Sequence, residues 1–476
     1  MHLSDLDATA QAELVRSGEA SPRELVDAAI VRIERDNPEL GAVIIPLFDQ
    51  ARATADNALH GPFRGVPILI KDILATVGGV LQTGGLLPLK RAGYIAPFDS
   101  HLVATLRRAG FVIVGKTNTS ELGIVPSAES PAWPPSRNPF DTARSTGGSS
   151  GGSACAVASG MVPIAHANDG GGSIRIPASC CGLFGLKPSR GRVSLAPQLG
   201  DGGGLVCEHV VARSVRDSAA VLDLLAGMQT GDPYTAPPKL GPYATELGVP
   251  PGRLKIAFAT RHFALDGSLV ESHPDCRAAV EETALMLEAL GHHVEPAEID
   301  AMNDPEWIPR FLSIWVVGVA TEIAAAGRLI GRPIEQGEVE TLTWGLSELG
   351  KLISGPAYAD AWRWIHAASR RIAAFFEKFD LWLTPTVTEP PVPLGTFKSP
   401  VDDPLAGIFR AADFAPFTAI FNATGQPACS IPLHRNAAGL PIGVQLAAAY
   451  GREDLLLRVA AQLEAAHPLT HPATRH

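Results

Sequence analysis

Cysteine is scarce in this chain, with six among 476 residues, at positions 155, 180, 181, 207, 276 and 429. None forms a CxxC pair, and no cysteine–histidine spacing is typical of a zinc site, so no metal site is expected. Cys180 and Cys181 are adjacent, and neighbours in sequence do not readily bridge each other. Isolated thiols of this kind are typical of buried residues in a reduced compartment, which predicts a cytoplasmic protein.

Positive charge and long apolar runs are lacking as well. The chain has 39 Lys and Arg against 49 Asp and Glu, a net charge of −10, and no basic cluster, so a nucleic-acid partner is not expected. The N-terminus has no apolar signal-peptide core. No run of about 18–20 mainly apolar residues is evident, so a membrane partner is not expected either. These features favour a protein that acts on small molecules.

What the sequence does contain predicts an α/β fold. Hydrophobic residues make up 46% of the chain, enough for a large core. Residues 21–35 begin with a capping box, Ser21 with Glu24, and continue with helical periodicity. Short apolar runs alternate with such helices and are typical of interior strands, with helices on both faces of a largely parallel or mixed sheet. These runs lie at 42–48, 66–74, 111–117, 254–260, 381–386 and 441–448.

Two Gly/Ser clusters stand close together, "STGGSSGGS" at 145–153 and "DGGGSIR" at 169–175. Neither has the lysine of a P-loop or the spacing of a dinucleotide-binding loop. The first matches GxSxG around Ser149 and again around Ser150, the pattern of a nucleophile elbow, although such a match is common in a segment so rich in these residues. A flexible linker is the simpler interpretation of the composition alone.

Lys71 and Ser173 are the residues that suggest chemistry. Serine needs a neighbouring base, and a lysine at the end of a buried strand loses hydration, which lowers its pKa and lets it accept a proton. Three glycines before Ser173 allow several backbone N–H groups to point at one place, as in an oxyanion hole. A lysine that extends to solvent and a simple tight turn are the structural alternatives.

Longer segments carry a resemblance to a known family. Residues 147–194 resemble the signature region of the amidase signature family, and further similar segments lie in family order at 61–72, 115–123, 380–395, 422–433 and 439–446. The resemblance covers most of the chain and is weakest over 231–380. It implies one α/β domain over 1–476, a central mixed and twisted sheet covered by helices, with the signature core at 140–195. Within the family, 7–19 and 448–464 resemble the hydrolases of the cyclic 6-aminohexanoate dimer.

The resemblance implies a catalytic triad and a hydrolytic reaction. Ser173 matches the family's nucleophile, Ser149 the bridging serine that follows a cis peptide bond, and Lys71 the base. The family's separation of the two serines is kept (173 − 149 = 24), which favours Ser149 over Ser150. The implied activity is cleavage of the C–N bond of a small carboxamide, lactam, anilide or carbamate through an acyl-enzyme, with no metal or organic cofactor.

The resemblance also implies an oxyanion hole made by the backbone N–H groups of Gly170, Gly171, Gly172 and Ser173. Gly170 departs from many relatives, which carry a larger residue there. Asp169 and Arg175 flank this loop, and we expect them to pair. Asn118 and Glu121 are expected to be structural.

A helical region at about 298–376 is expected to form the substrate pocket, with Trp315 and Trp344 as its walls. Such aromatic walls favour anilides or aryl carbamates. The expected partner is therefore a small amide or carbamate, and a homodimer is compatible with the sequence.

Three alternatives stay open at this point. A glutamine-dependent amidotransferase subunit shares the family's triad and would supply ammonia to a larger complex. An esterase of the α/β-hydrolase type would use Ser149 with a distant Asp and His. His166, seven residues before Ser173, permits a Ser–His interpretation.

Overall fold

Eleven strands form one mixed sheet at the centre of the molecule, in the order β1-β3-β2-β6-β8-β7-β14-β15-β13-β9-β12. The structure is a computed structural model that describes residues 3–197, 204–264 and 267–467. The strands of this sheet are β1 (Val43–Pro46), β2 (Pro67–Lys71), β3 (Val112–Thr117), β6 (Ile164–Asp169), β7 (Phe184–Lys187), β8 (Cys207–Ala212), β9 (Lys255–Phe258), β12 (His293–Pro296), β13 (Leu381–Pro385), β14 (Ala428–Arg435) and β15 (Pro441–Ala448). Two hairpins stand apart from it, β4 (Arg137–Asn138) with β5 (Asp141–Ser145) and β10 (Arg261–Phe263) with β11 (Leu269–Glu271).

Helices surround the sheet. They are α1 (Ala8–Ser17), α2 (Pro22–Leu40), α3 (Phe48–Ala55), α4 (Leu87–Ala92), α5 (His101–Arg108), α6 (Gly151–Ala158), α7 (Arg175–Cys180), α8 (Val215–Leu225), α9 (Tyr243–Glu246), α10 (Pro274–Ala289), α11 (Trp307–Ile330), α12 (Thr341–Leu352), α13 (Gly355–Ala373), α14 (Ala406–Phe414), α15 (Ala419–Thr424) and α16 (Glu453–Ala466). The predicted capping box is present, since Ser21 and Glu24 bond each other's backbone N–H at the start of α2.

Both faces of the sheet are covered because alternate residues of one strand enter different cores. In β2, Ile68 and Ile70 enter the core that contains α5, α8 and α16, whereas Leu69 enters the core that contains α2 and α6. Each of the six apolar runs contains a strand of the sheet, so the α/β prediction with a mixed sheet is confirmed.

The region 298–376 is mostly helical, as predicted, with α11, α12 and α13 packed together. By length and composition alone α11 could span a membrane, a property that inspection of the sequence for apolar runs did not find. The apolar stretch of this helix is 33% buried, and the helix packs through Ile314, Val316 and Val319 onto two apolar clusters. The segment 231–253 is mostly irregular, but it contains the short α9 and the buried Tyr243.

Candidate active site

Lys71 ends β2, the third strand from one edge of the sheet, and is fully buried. Its backbone N–H donates to Nδ1 of His166 at 3.3 Å, across to the neighbouring strand β6. Its Nζ lies 2.8 Å from Oγ of Ser149 and 2.6 Å from Oδ1 of Asn168. The lysine therefore does not extend to solvent, and its amine is placed between two polar side chains.

Ser149 stands at the end of a tight backbone turn. The Gly148–Ser149 peptide bond is cis, as the resemblance predicts, and α6 begins two residues later. Two glycines make room for the turn. A Cβ on Gly148 would lie 2.2 Å from the carbonyl oxygen of Ser127, and a Cβ on Gly123 would lie 3.0 Å from Oγ of Ser149. The first Gly/Ser cluster is thus a packed turn and a helix start rather than a linker.

Ser173 completes a continuous chain of three side chains. Its Oγ lies 2.9 Å from Oγ of Ser149, which in turn lies 2.8 Å from Nζ of Lys71. Hydroxyl hydrogens rotate freely, so these heavy-atom positions allow a proton to pass in either direction along the chain. Ser173 is half-buried and borders the apolar cavity described below, whereas the other two side chains lie behind it.

Lys71 is a base suited to neutral pH. Burial removes water from its ammonium form and lowers the pKa to about 7, while the carboxylates of Asp169 and Glu208 oppose this fall. A lysine with a pKa near 7 is largely neutral at pH 8 and can accept a proton, which an ordinary lysine with a pKa of 10.5 cannot do effectively.

The glycine loop before Ser173 supplies fewer free donors than expected. The N–H of Gly172 donates to Oδ1 of Asp169 at 2.7 Å, so it is already engaged. For Gly170, Gly171 and Ser173, no N–H hydrogen bond occurs within the described part of the chain. The expected four-donor oxyanion hole is therefore corrected to three candidate donors. Gly172 has a shaping role, because its φ of +138° and its contacts leave no space for a side chain.

Asp169 and Arg175 pair as expected, and the pair anchors the loop. Arg175 donates to both carboxylate oxygens at 2.9 Å, and both side chains are fully buried. Burial raises the pKa of Asp169, but Arg175 outweighs it and holds the pKa at about 2. Thr418 fixes the other side of the loop, because its hydroxyl donates to the carbonyl oxygen of Gly171 at 2.6 Å.

An apolar cavity of about 370 Å³ adjoins Ser173. Trp315 lines it from α11, stacked on Phe311 with ring centroids 5.6 Å apart, and its ring lies 3.7 Å from the position of a Cβ on Gly170. Trp344 does not line this cavity, so that expectation is corrected. On α12, Leu342 and Leu346 turn into the core, while Trp344 is half-exposed with Nζ of Lys351 5.1 Å from its ring.

Asn168 is a site residue that the sequence reasoning missed. Its Oδ1 accepts from Lys71, and its Nδ2 donates to the carbonyl oxygen of Ile73 at 3.1 Å. A signal was available, since Asn168 directly precedes the DGGGS cluster, two positions after His166 on the same strand face. Asn118, by contrast, is structural as expected, with its amide donating to the carbonyls of Ala128 and Pro134.

A catalytic role for His166 receives no support from the geometry. His166 bonds the backbone of Lys71, and neither serine of the triad is its partner. The same geometry disfavours an esterase-type elbow, because Ser149 contacts a lysine and not a histidine. Across 3–197, 204–264 and 267–467, no group of three or more His, Cys, Asp or Glu could hold a metal ion.

Comparisons with known proteins agree with this geometry. The amidase family profile matches residues 24–457. A 6-aminohexanoate-cyclic-dimer hydrolase from Pseudomonas sp. (strain NK87) is 43% identical, over 97% of this chain and 95% of its own length. A solved structure of a 6-aminohexanoate cyclic dimer hydrolase superposes with a TM-score of 0.96 at 42% identity, with both chains fully covered. A bacterial aryl acylamidase structure has a TM-score of 0.87 at 26% identity, with 99% of both chains covered. These similar proteins are hydrolases or acylamidases by name, which favours hydrolysis over the amidotransferase alternative.

Proposed function

The chain belongs to the amidase family and hydrolyses C–N amide bonds, and from this premise we propose that Ser173 is the nucleophile, Ser149 the bridge and Lys71 the base. One observation carries the proposal. The three functional atoms form a continuous chain, Nζ to Oγ at 2.8 Å and Oγ to Oγ at 2.9 Å, with the nucleophile at the cavity and the base buried behind it.

The first half of the reaction forms an acyl-enzyme. Ser173 gives its proton to Oγ of Ser149 while Ser149 gives its own proton to the neutral amine of Lys71, and Oγ of Ser173 attacks the carbonyl carbon. The negative charge moves to the carbonyl oxygen, where the N–H groups of Gly170, Gly171 and Ser173 are available to bind it. One such donor typically contributes about 10²–10³ in rate.

The same relay then runs in reverse. The leaving nitrogen takes a proton from Ser149, which recovers one from Lys71, and the C–N bond breaks. An amine leaves poorly until it is protonated, so this step decides whether amides are cleaved. Water next gives a proton to the relay and attacks the acyl carbon. The bond between the acyl carbon and Oγ of Ser173 then breaks, the relay returns the proton to Oγ, and the acid is released.

For the substrate we propose an anilide or aryl carbamate. Trp315 and Phe311 form a stacked aromatic wall of the cavity next to the glycine loop, and an aryl group would bury its faces there. A cytoplasmic location and a homodimer stay predictions from the sequence.

A panel of amide, anilide, carbamate, lactam and ester substrates, run against the wild type and Ser173→Ala, tests the proposal. We expect Ser173→Ala to lose all turnover while its circular dichroism and melting temperature stay close to the wild type. Retained turnover in that variant would contradict the serine mechanism, and equal turnover of linear aliphatic amides would contradict the aryl preference. Strong glutaminase activity would instead favour the amidotransferase alternative.

A further inference from the structure

A carboxylate that pairs with no lysine or arginine among the described residues lies behind Lys71. Glu208 is on β8, which pairs with β6 so that Glu208 stands opposite Asn168. Its side chain is 3% exposed, and its Oε1 is buried without a hydrogen-bond partner in the described part of the chain. A buried carboxylate oxygen without a hydrogen-bond partner costs free energy, so the presence of Glu208 here indicates a function rather than a contribution to stability.

His166 stands between Glu208 and the backbone of Lys71. Its Nδ1 accepts the Lys71 N–H, so in the neutral imidazole the proton is on Nε2. That Nε2 is buried without a hydrogen-bond partner among the described residues and lies 3.6 Å from Oε1 of Glu208. The imidazole therefore directs its N–H towards the carboxylate, and its other nitrogen holds the strand that carries Lys71.

The other nearby charges are already compensated. Asp169 is paired with Arg175, and Asp72, the residue after Lys71, is paired with Lys116 on β3.

On β7, the Nζ of Lys187 donates to the carbonyl oxygen of Pro188 at 2.8 Å. Of the two described carboxylates whose charge acts on Lys71, Asp169 is paired with Arg175, and Glu208 is the one that no described lysine or arginine pairs with.

Resting on the triad proposed above, we propose that Glu208 is the counter-charge for the ammonium that forms on Lys71 when it takes the Ser149 proton, and that His166 and Asn168 position Lys71 for this step. Glu208 touches no reacting atom and acts through its charge. Asn168 accepts one N–H of the amine at 2.6 Å, which leaves the nitrogen lone pair available to Ser149.

The carboxylate of Glu208 compensates for the burial of Lys71. Burial alone would make Lys71 so weak a base that it could not hold a proton from a serine hydroxyl, because the ammonium would be formed in a site without water. A fixed carboxylate lowers the free energy of that ammonium and needs no reorganisation when it forms. Glu208 thus balances the burial and keeps the basicity of Lys71 near the working pH.

The test is the pH dependence of kcat/KM for hexanoyl 4-nitroanilide, whose leaving amine does not titrate between pH 5 and 9. In the wild type we expect kcat/KM to fall below about pH 7 as Lys71 becomes protonated. Glu208→Gln keeps the shape and removes the charge, so the acid limb moves to lower pH by roughly half a unit to one unit, and the plateau falls up to about tenfold. Asn168→Asp adds a charge beside Nζ and moves the limb to higher pH.

His209→Gln is the matched control. His209 is the next residue on β8, equally buried, and its ring faces α8, where Nε2 lies 2.9 Å from the hydroxyl of Ser218. We expect its acid limb to stay in place. An unmoved limb in folded Glu208→Gln would overturn the role of Glu208, and an unmoved limb in Asn168→Asp would overturn the positioning of the amine. Turnover retained by Ser173→Ala would instead show that the triad itself is wrongly assigned.

Discussion

At the scale of single residues, Ser149 is the side chain that connects the amine of Lys71 to the hydroxyl of Ser173 in the proposed relay. Its loss leaves the nucleophile in place but removes the group that protonates the leaving nitrogen. A 4-nitrophenolate leaves without a proton, whereas an alkylamine does not.

We therefore predict that Ser149→Ala lowers kcat/KM for amides by about 10³-fold or more and lowers it less for 4-nitrophenyl esters of the same acid. Steady-state kinetics on the matched ester and amide measure this. Ser150→Ala is the control, since the Ser150 hydroxyl donates to the carbonyl of Asn168 and does not bond the triad. Equal losses on ester and amide would contradict the bridging role.

At the scale of secondary-structure elements, α11 lines the cavity and α12 does not. Trp315 and Phe311 are one helical turn apart on α11 and both line the cavity, while Trp344 on α12 lies outside it. Trp315→Ala removes a large aromatic contact next to the glycine loop.

We predict that Trp315→Ala lowers kcat/KM for an anilide by about tenfold or more and changes that for a small aliphatic amide less, because the aryl ring loses its stacking partner. Trp344→Ala is the matched control and should leave both substrates near the wild-type rates. The aromatic-wall assignment fails if the two tryptophan variants change the anilide-to-amide ratio alike.

The contact between α12 and the loop after β3 makes stability depend on pH. Burial raises the pKa of Glu121 to about 7, and burial together with Glu121 raises that of Glu340 to about 8. Both values exceed the ordinary 4.5, so the folded state holds more protons than the unfolded state between these limits. The stabilising contribution is complete below about pH 4.5 and is lost as the pH rises through 7–8.

We predict that between pH 5.5 and pH 8.5 the free energy of unfolding of Glu340→Gln rises relative to that of the wild type, because an uncharged amide replaces a carboxyl group that loses its proton over this range. Urea denaturation at the two pH values measures it. Glu348→Gln on the exposed face of α12 should leave the pH dependence unchanged. An identical slope in Glu340→Gln and the wild type would show that this pair does not titrate as described.

At the scale of the whole molecule, local sequence patterns predicted the helices and strands but not which distant strands pair with each other. Strands such as β2 and β3 were predictable because each is a short apolar run. The proposed triad was predictable because the resemblance matches Lys71, Ser149 and Ser173 to the family's positions. Asn168 carried a local signal, its position directly before the DGGGS cluster. Glu208 carried none, because its place near Lys71 comes from the antiparallel register of β6 and β8 beside β2, and register between distant strands leaves no trace in either strand alone.

Arg175 shows how the glycine loop depends on the far end of the chain. Besides Asp169, its guanidinium donates to the carbonyl oxygen of Thr418 at 3.0 Å, to Oδ1 of Asn422 at 2.7 Å and to Oε1 of Gln445 at 2.8 Å. These partners lie up to 270 residues away in sequence. The loop that precedes Ser173 is thus attached to β15 and α15 through one buried cation.

We predict that Arg175→Met lowers the free energy of unfolding by about 3–5 kcal/mol, because it leaves the buried carboxylate of Asp169 unpaired. It should also lower kcat/KM, since Arg175 fixes the Asp169 carboxylate that accepts from the N–H of Gly172. Arg216→Met is the control, because Arg216 pairs with Asp7 at the surface and such pairs contribute about 0–1 kcal/mol. Asp169→Asn combined with Arg175→Met should recover part of the stability but not the activity, since the unpaired charge is gone while the bonds from Arg175 to Gln445 and to the carbonyl oxygen of Thr418 stay lost. If the double variant regains activity as well, the attachment to the distant strands is not what shapes the oxyanion loop.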